Sequence, residues 1–356
     1  MRQIAGAPAA VWLALGAAGC GETASSAAER WDALSASTLA RTEVAVARVG
    51  RGAYVVGGFV APDGETTAVV ERYDLRTDRW TRVAPIPQAV NHSAAASYRG
   101  ALYVVGGYTS GLGGETAALW RYDPGPNRWT RLPDAPTARG ALVAGVVGGR
   151  LYVAGGARAG AARKALEIYD VARRRWSAGP PMRVAREHLA GAVLQGSFYA
   201  LAGRAAGRGN FRVVERFVPT RGRWERVPSM RKARAGIAAA TVDGRIVVVG
   251  GEEAAGTIGE VESFEPLSRR WRFEPRLPTP RHGLGAVSFA GGSSCSRAVR
   301  AGVVQRRSIA AHECIRPRGL CRQAPRAPRA QIRGGIRESP RCGHRRASSQ
   351  SSPPSR

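Results

Sequence analysis

Six tryptophans, Trp31, Trp80, Trp129, Trp176, Trp224 and Trp271, recur at intervals of 49, 49, 47, 48 and 47 residues. A ladder of glycines keeps step: Gly57-Gly58, Gly106-Gly107, Gly155-Gly156, Gly203-Arg204 and Gly250-Gly251, each first glycine 26 or 27 residues after the preceding tryptophan. A third rung is an aromatic, usually followed by aspartate: Tyr73-Asp74, Tyr122-Asp123, Tyr169-Asp170, then Phe217 and Phe264. A period just under 50 belongs to a propeller blade rather than to a helical repeat. No segment carries a convincing 3.6-residue period, so the chain reads as all-β.

Within each unit the chemistry changes in a fixed order. A small-residue stretch comes first, such as Ser93-Ala94-Ala95-Ala96 or Ile237-Ala238-Ala239-Ala240, suited to an innermost strand crowded around an axis. A β-rich run follows (Leu102-Tyr103-Val104-Val105, Ile246-Val247-Val248-Val249) and ends on the glycines, which mark close backbone approach. The third strand carries the Tyr or Phe and the fourth the Trp, large faces to bury between neighbouring sheets.

This order, hydrophobic strand, paired glycines, Tyr-Asp and then Trp at a fixed offset, resembles the Kelch-repeat family over about residues 29–290. The resemblance implies a six-bladed β-propeller. Trp31 has no blade before it, so Arg30-Trp31 is expected to be the outer strand of the last blade, donated by the N-terminal segment. Five blades are then complete. The sixth is predicted to be incomplete, because its glycine pair is due near Arg297-Ala298 and no Tyr-Asp follows.

Charge separates the end of the chain from the rest. The formal net charge is +28, and 52 of the 54 basic residues are arginine, a skew that fits GC-rich coding better than selection for nucleic acid. Residues 291–356 contain no Phe, Tyr or Trp and only Glu313 and Glu338 as acids, so they read as an Arg-rich disordered tail from an out-of-frame translation. A genuine tail would instead bind nucleic acid or another polyanion. At the other end, Arg2, the apolar run 4–15 and the small residues before Cys20 describe a signal peptide over 1–20 with Cys20 as a lipidation candidate. Export, to the envelope through a lipid anchor or as a secreted protein and with no transmembrane span, is the expectation from that reading.

Arg41, Arg139, Arg186, Arg234 and Arg281 each stand ten residues after a tryptophan. They can be read as an anion-binding ring at one channel mouth, since Arg grips carboxylates bidentately. They can also be read as buried ion pairs, because Glu71, Glu167, Glu215 and Glu262 stand two residues before the third-strand aromatic in the same units. Blade two has Val90 and Trp120 and so lacks both members, the joint loss a buried pair predicts. His92, His188 and His282 follow the Arg-equivalent site by one or two positions and are expected to line the channel without holding a metal.

No catalytic constellation, cofactor motif or metal set emerges. The expectation is a non-catalytic, monomeric binding or scaffold protein whose loops, which differ strongly between blades, hold a protein or glycan partner. The alternative is an enzyme on acidic sugars, similar to the Kelch-type sialic acid mutarotases, with the arginine ring holding the carboxylate.

Overall fold

The computed structural model describes residues 30–60, 64–289, 298–301 and 312–316. The signal segment 1–20 with Cys20, and most of 291–356, lie outside the described residues. Among those described, the chain forms six sheets of four principal antiparallel strands. In the first, the strands are Ala45–Val49, Gly52–Val56, Val70–Asp74 and Arg79–Val83, running outward in sequence order. Four more sheets repeat this meander up to Arg270–Glu274. Their first strands, together with Val287–Phe289, touch in a closed cycle. Small side chains make this possible. The inner strands surround a channel of about 590 Å³ faced by Ala96, Gly145, Gly191, Ala239 and Ala286.

Each tryptophan joins its own sheet to an earlier stretch of chain. Its ring lies 5.0–5.5 Å from the aromatic directly across the third strand. Its indole N–H donates to a backbone carbonyl 43–45 residues earlier, at 2.7–2.9 Å. Trp31 does the same across the closure, donating to Pro275 O at 2.9 Å and packing with Leu277 and Leu284. The N-terminal strand Arg30–Leu34 is therefore the outer strand of the last sheet. Trp31→Phe should keep most of the packing and lose the hydrogen bond, costing about 1 kcal/mol. Urea unfolding of the variant checks this, and an unchanged midpoint would deny the bond any part in closure.

Two details correct the sequence reading. The sixth sheet is not left with two strands: Ala298–Ala301 and His312–Arg316 fill its middle, giving the order Arg30–Leu34, His312–Arg316, Ala298–Ala301, Val287–Phe289. Backbone N–H and C=O groups at an open sheet edge seek partners whatever the side chains are. Trp31 pairs with Ile315, the place held elsewhere by Tyr or Phe, and Glu313 falls in the register position of Glu71 and its equivalents. The fourth glycine pair is also misaligned by one. Its positions are Ala202 (φ 48°) and Gly203 (φ 96°), so the offset from the preceding tryptophan is 26 throughout.

The pair positions differ in role. The first sits at φ 48–65° and the second at φ 93–120° in all five sheets. The second residue's N–H donates to the backbone carbonyl at the arginine position of the next sheet: Gly58 to Val90, Gly107 to Arg139, Gly156 to Arg186, Gly203 to Arg234 and Gly251 to Arg281. The second position, glycine in all five sheets, is thus the seam, where two backbones come too close for a side chain.

Candidate functional site

The arginine ring is spent inside the sheets. Arg41–Glu71 (2.9 Å), Arg139–Glu167 (2.6 Å), Arg186–Glu215 (3.0 Å) and Arg234–Glu262 (3.0 Å) are all buried ion pairs. Their Nη groups also donate to strand carbonyls, as from Arg41 to Val55 and Val69 and from Arg186 to Ala200 and Val213. The carboxylates in turn accept from the segment entering the sheet, through Arg183 N on Glu215 and Arg231 N on Glu262. Burial pulls Arg41 and Arg186 down to about 10, with the facing glutamate holding each up against it. Arg281 is buried as well. The guanidinium groups of these four pairs are almost wholly buried, with their carboxylate partners inside the same sheets. In the second sheet Val90 is buried and Trp120 packs beside it.

A different position does ring the channel mouth. Glu43, His92, Ala141, His188, Gly236 and Gly283 stand two residues after the arginine position in successive sheets, all with φ between 50° and 62°. Each links to its neighbour by a backbone hydrogen bond: His92 N to Glu43 O, Ala141 N to His92 O, His188 N to Ala141 O, Gly236 N to His188 O, Gly283 N to Gly236 O and Glu43 N to Gly283 O. This hoop of six bonds, 2.7–3.0 Å long, closes on itself. Left-handed backbone costs a side-chain-bearing residue roughly 1–2 kcal/mol, which the two glycines avoid. Three of the remaining four positions carry imidazole or carboxylate.

Those three converge. His92 Nε2 is 2.9 Å from His188 Nε2 and 3.2 Å from Glu43 Oε2. His92 Nδ1 lies 2.6 Å from Asn91 Oδ1, and the Asn91 amide is oriented by donating to Gly111 O at 3.0 Å. His188 Nδ1 donates to Glu187, whose other oxygen accepts from Arg204 Nε at 2.8 Å. Arg204 bridges onward to Glu252 and reaches His188 Nε2 at 3.2 Å. His282 completes the rim, 3.6 Å from Glu43 and 3.7 Å from Glu252. Phe59 and Tyr108 stand edge-on to His92, both with ring centroids 5.5 Å away.

The electrostatics follow from burial. Desolvation drives His92 well below the usual imidazole range, with His188, Arg204 and His282 pushing the same way. Burial raises Glu43, against the pull of His188 and His282. Burial also pushes Glu187 up, but its bonds to His188 and Arg204 outweigh this and leave it lowered. Tyr108 rises to about 12 through burial and the nearby Glu187 and Glu115. Three carboxyl groups (Glu43, Glu187, Glu252) and one guanidinium (Arg204) share the mouth with the imidazoles.

His92, His188 and His282 were legible as channel-lining candidates. Glu43, Glu187, Arg204 and Glu252 were not singled out. The signal was available: Phe59, Tyr108, Ala157, Arg204 and Glu252 each directly follow the second residue of the glycine pair, so one repeat position supplies the loop side of the mouth.

Sheets wound into a closed ring, with a polar hoop at one end of a channel lined by small residues, define a β-propeller. The family model for the KLHDC2/KLHL20/DRC7 Kelch-repeats domain matches residues 43–251, and the Kelch motif model matches residues 233–278. The chain belongs to the Kelch-repeat family. Among solved structures it is similar to one titled "Structure of YjhT", with a TM-score of 0.65 and 15% identity, covering 79% of this chain and 96% of that one. No curated protein matches the chain.

Proposed function

We propose that the chain is a non-catalytic binding module that takes its protein or glycan partner on the propeller face carrying the hoop. The observation that supports this most is the convergence, at one mouth, of the positions in which the repeats differ. The hairpin loops that follow the glycine pairs leave the sheets on this side, and Tyr108, Arg204 and Glu252 reach from them into the polar cluster. A constant frame with variable loops is the usual way a scaffold carries recognition. The three carboxyl groups at the mouth, Glu43, Glu187 and Glu252, favour a partner that presents a basic or hydrogen-bond-donating group. They disfavour the carboxylated sugar of the alternative reading, which needed the five arginines free. An exported setting fits the signal-like segment at 1–20.

The test compares wild type with Tyr108→Ala and Glu252→Lys on this face, and Ser97→Lys at the other end of the channel. Cross-linking to envelope proteins and a glycan array should show a ligand retained by wild type and Ser97→Lys but lost by the first two. Accelerated anomer exchange of N-acetylneuraminic acid, followed by NMR, would overturn the reading in favour of the enzyme.

A further inference from the structure

We propose that Glu43, His92 and His188 form a binding site for a divalent transition cation of the zinc class at the channel mouth. The argument begins with hydrogens. Asn91 Oδ1 can only accept, so His92 carries its proton on Nδ1 and turns the bare Nε2 lone pair inward. Glu187 likewise accepts from His188 Nδ1, which turns His188 Nε2 toward His92. The two Nε2 atoms face each other at 2.9 Å, with a carboxylate oxygen of Glu43 3.2 Å from the first and Arg204 Nη2 3.2 Å from the second. Three donor atoms gathered this closely can share one cation.

The spacing suits a metal. Donors bound at about 2.0–2.2 Å lie roughly 3.0–3.5 Å apart around a tetrahedral or octahedral centre. The three ligand atoms lie within 4.8 Å of one another. Two imidazoles and one carboxylate, with positions left open, are a ligand set for zinc or iron(II). The outer shell is in place too, because metal-bound imidazoles ordinarily donate their second N–H to a carboxylate or carbonyl, as His188 does to Glu187 and His92 to Asn91. Arg204, 3.2 Å from His188 Nε2, opposes a cation. Glu187 and Glu252 offset its charge and hold it by its other nitrogens.

A second observation is independent of the donors. All three ligands occupy left-handed backbone positions, and the hoop's equivalent places in two other sheets are Gly236 and Gly283. Glycine or, at Ala141, alanine fills the same place in the other three sheets, so the hoop's backbone does not itself require the ligating side chains. This inference goes beyond the partner-binding reading and stands or falls separately from it.

The precedent also supplies the test. His92→Gly and His188→Gly place at the hoop the residue that two sheets already carry there, so both should fold with unchanged or higher thermal midpoints. Full-length protein stripped with a chelator is titrated with Zn²⁺ by calorimetry and with Co²⁺ by visible absorption. Wild type should bind one ion saturably, gain thermal stability and show a Co²⁺ spectrum of nitrogen and oxygen ligands. Either glycine variant should weaken binding at least 100-fold and abolish the thermal shift, and Glu187→Gln should weaken it 10- to 100-fold. Equal affinity in His92→Gly, or thiolate bands persisting there (the cysteines as ligands), would overturn the assignment. So would the absence of saturable binding by wild type.

Discussion

Glu215→Ala should lower stability by about 3–5 kcal/mol, because it strands the Arg186 guanidinium in a site with no solvent. In a thermal scan this corresponds to a fall of roughly 10 °C for a domain of this size. The carboxylate does two jobs there, accepting from Arg186 at 3.0 Å and from Arg183 N at 2.8 Å, so its removal orphans a charge and a backbone donor together. Replacing both members, Arg186→Met with Glu215→Leu, should recover at least half of the loss. A buried ion pair is often no better than an apolar pair of similar volume, and the second sheet already lives with Val90 and Trp120. Urea unfolding of the two singles and the double forms a complete cycle. A double variant as unstable as the two singles summed would show that the pair is not a unit.

Gly107→Ala should cost about 3 kcal/mol, and Gly106→Ala, one residue away, only about 1–2 kcal/mol. Gly106 sits at φ 64°, in the left-handed well that a side-chain-bearing residue reaches at modest cost, and Ala202 occupies the equivalent place in the fourth sheet. An added methyl would crowd a backbone oxygen at both positions, 2.7 Å from Arg139 O at Gly106 and 2.6 Å from Asn91 O at Gly107, so the difference rests on Gly107's φ of 109°, outside that well. Gly107 also donates the N–H that bonds Arg139 O across the seam. Thermal unfolding of both variants checks the order. A Gly106 variant less stable than the Gly107 variant would reverse the roles given to the two positions.

The frame was legible because a propeller repeats its physics in every sheet. Trp, aromatic and glycine positions each perform one job at one offset, so five copies rise above chance without coordinates. The Arg–Glu pairs were legible for the same reason, through the joint exception in the second sheet. The fourth glycine pair was misread because Ala202 substitutes in the more tolerant position, leaving Gly203 to look like the first of two. The sixth sheet was misjudged because strand completion there rests on backbone hydrogen bonds, which leave little trace in side-chain pattern.

The mouth is the opposite case. Glu43, His92 and His188 are separated by 49 and 96 residues, and each is an exception to its repeat rather than an instance of it. Periodicity reports what successive sheets share, so the amino-acid order alone determined the strand pattern, the closure through Trp31 and the buried pairs. Only tertiary structure decided which exceptions meet, because proximity across a ring axis depends on how six sheets close and not on distance along the chain.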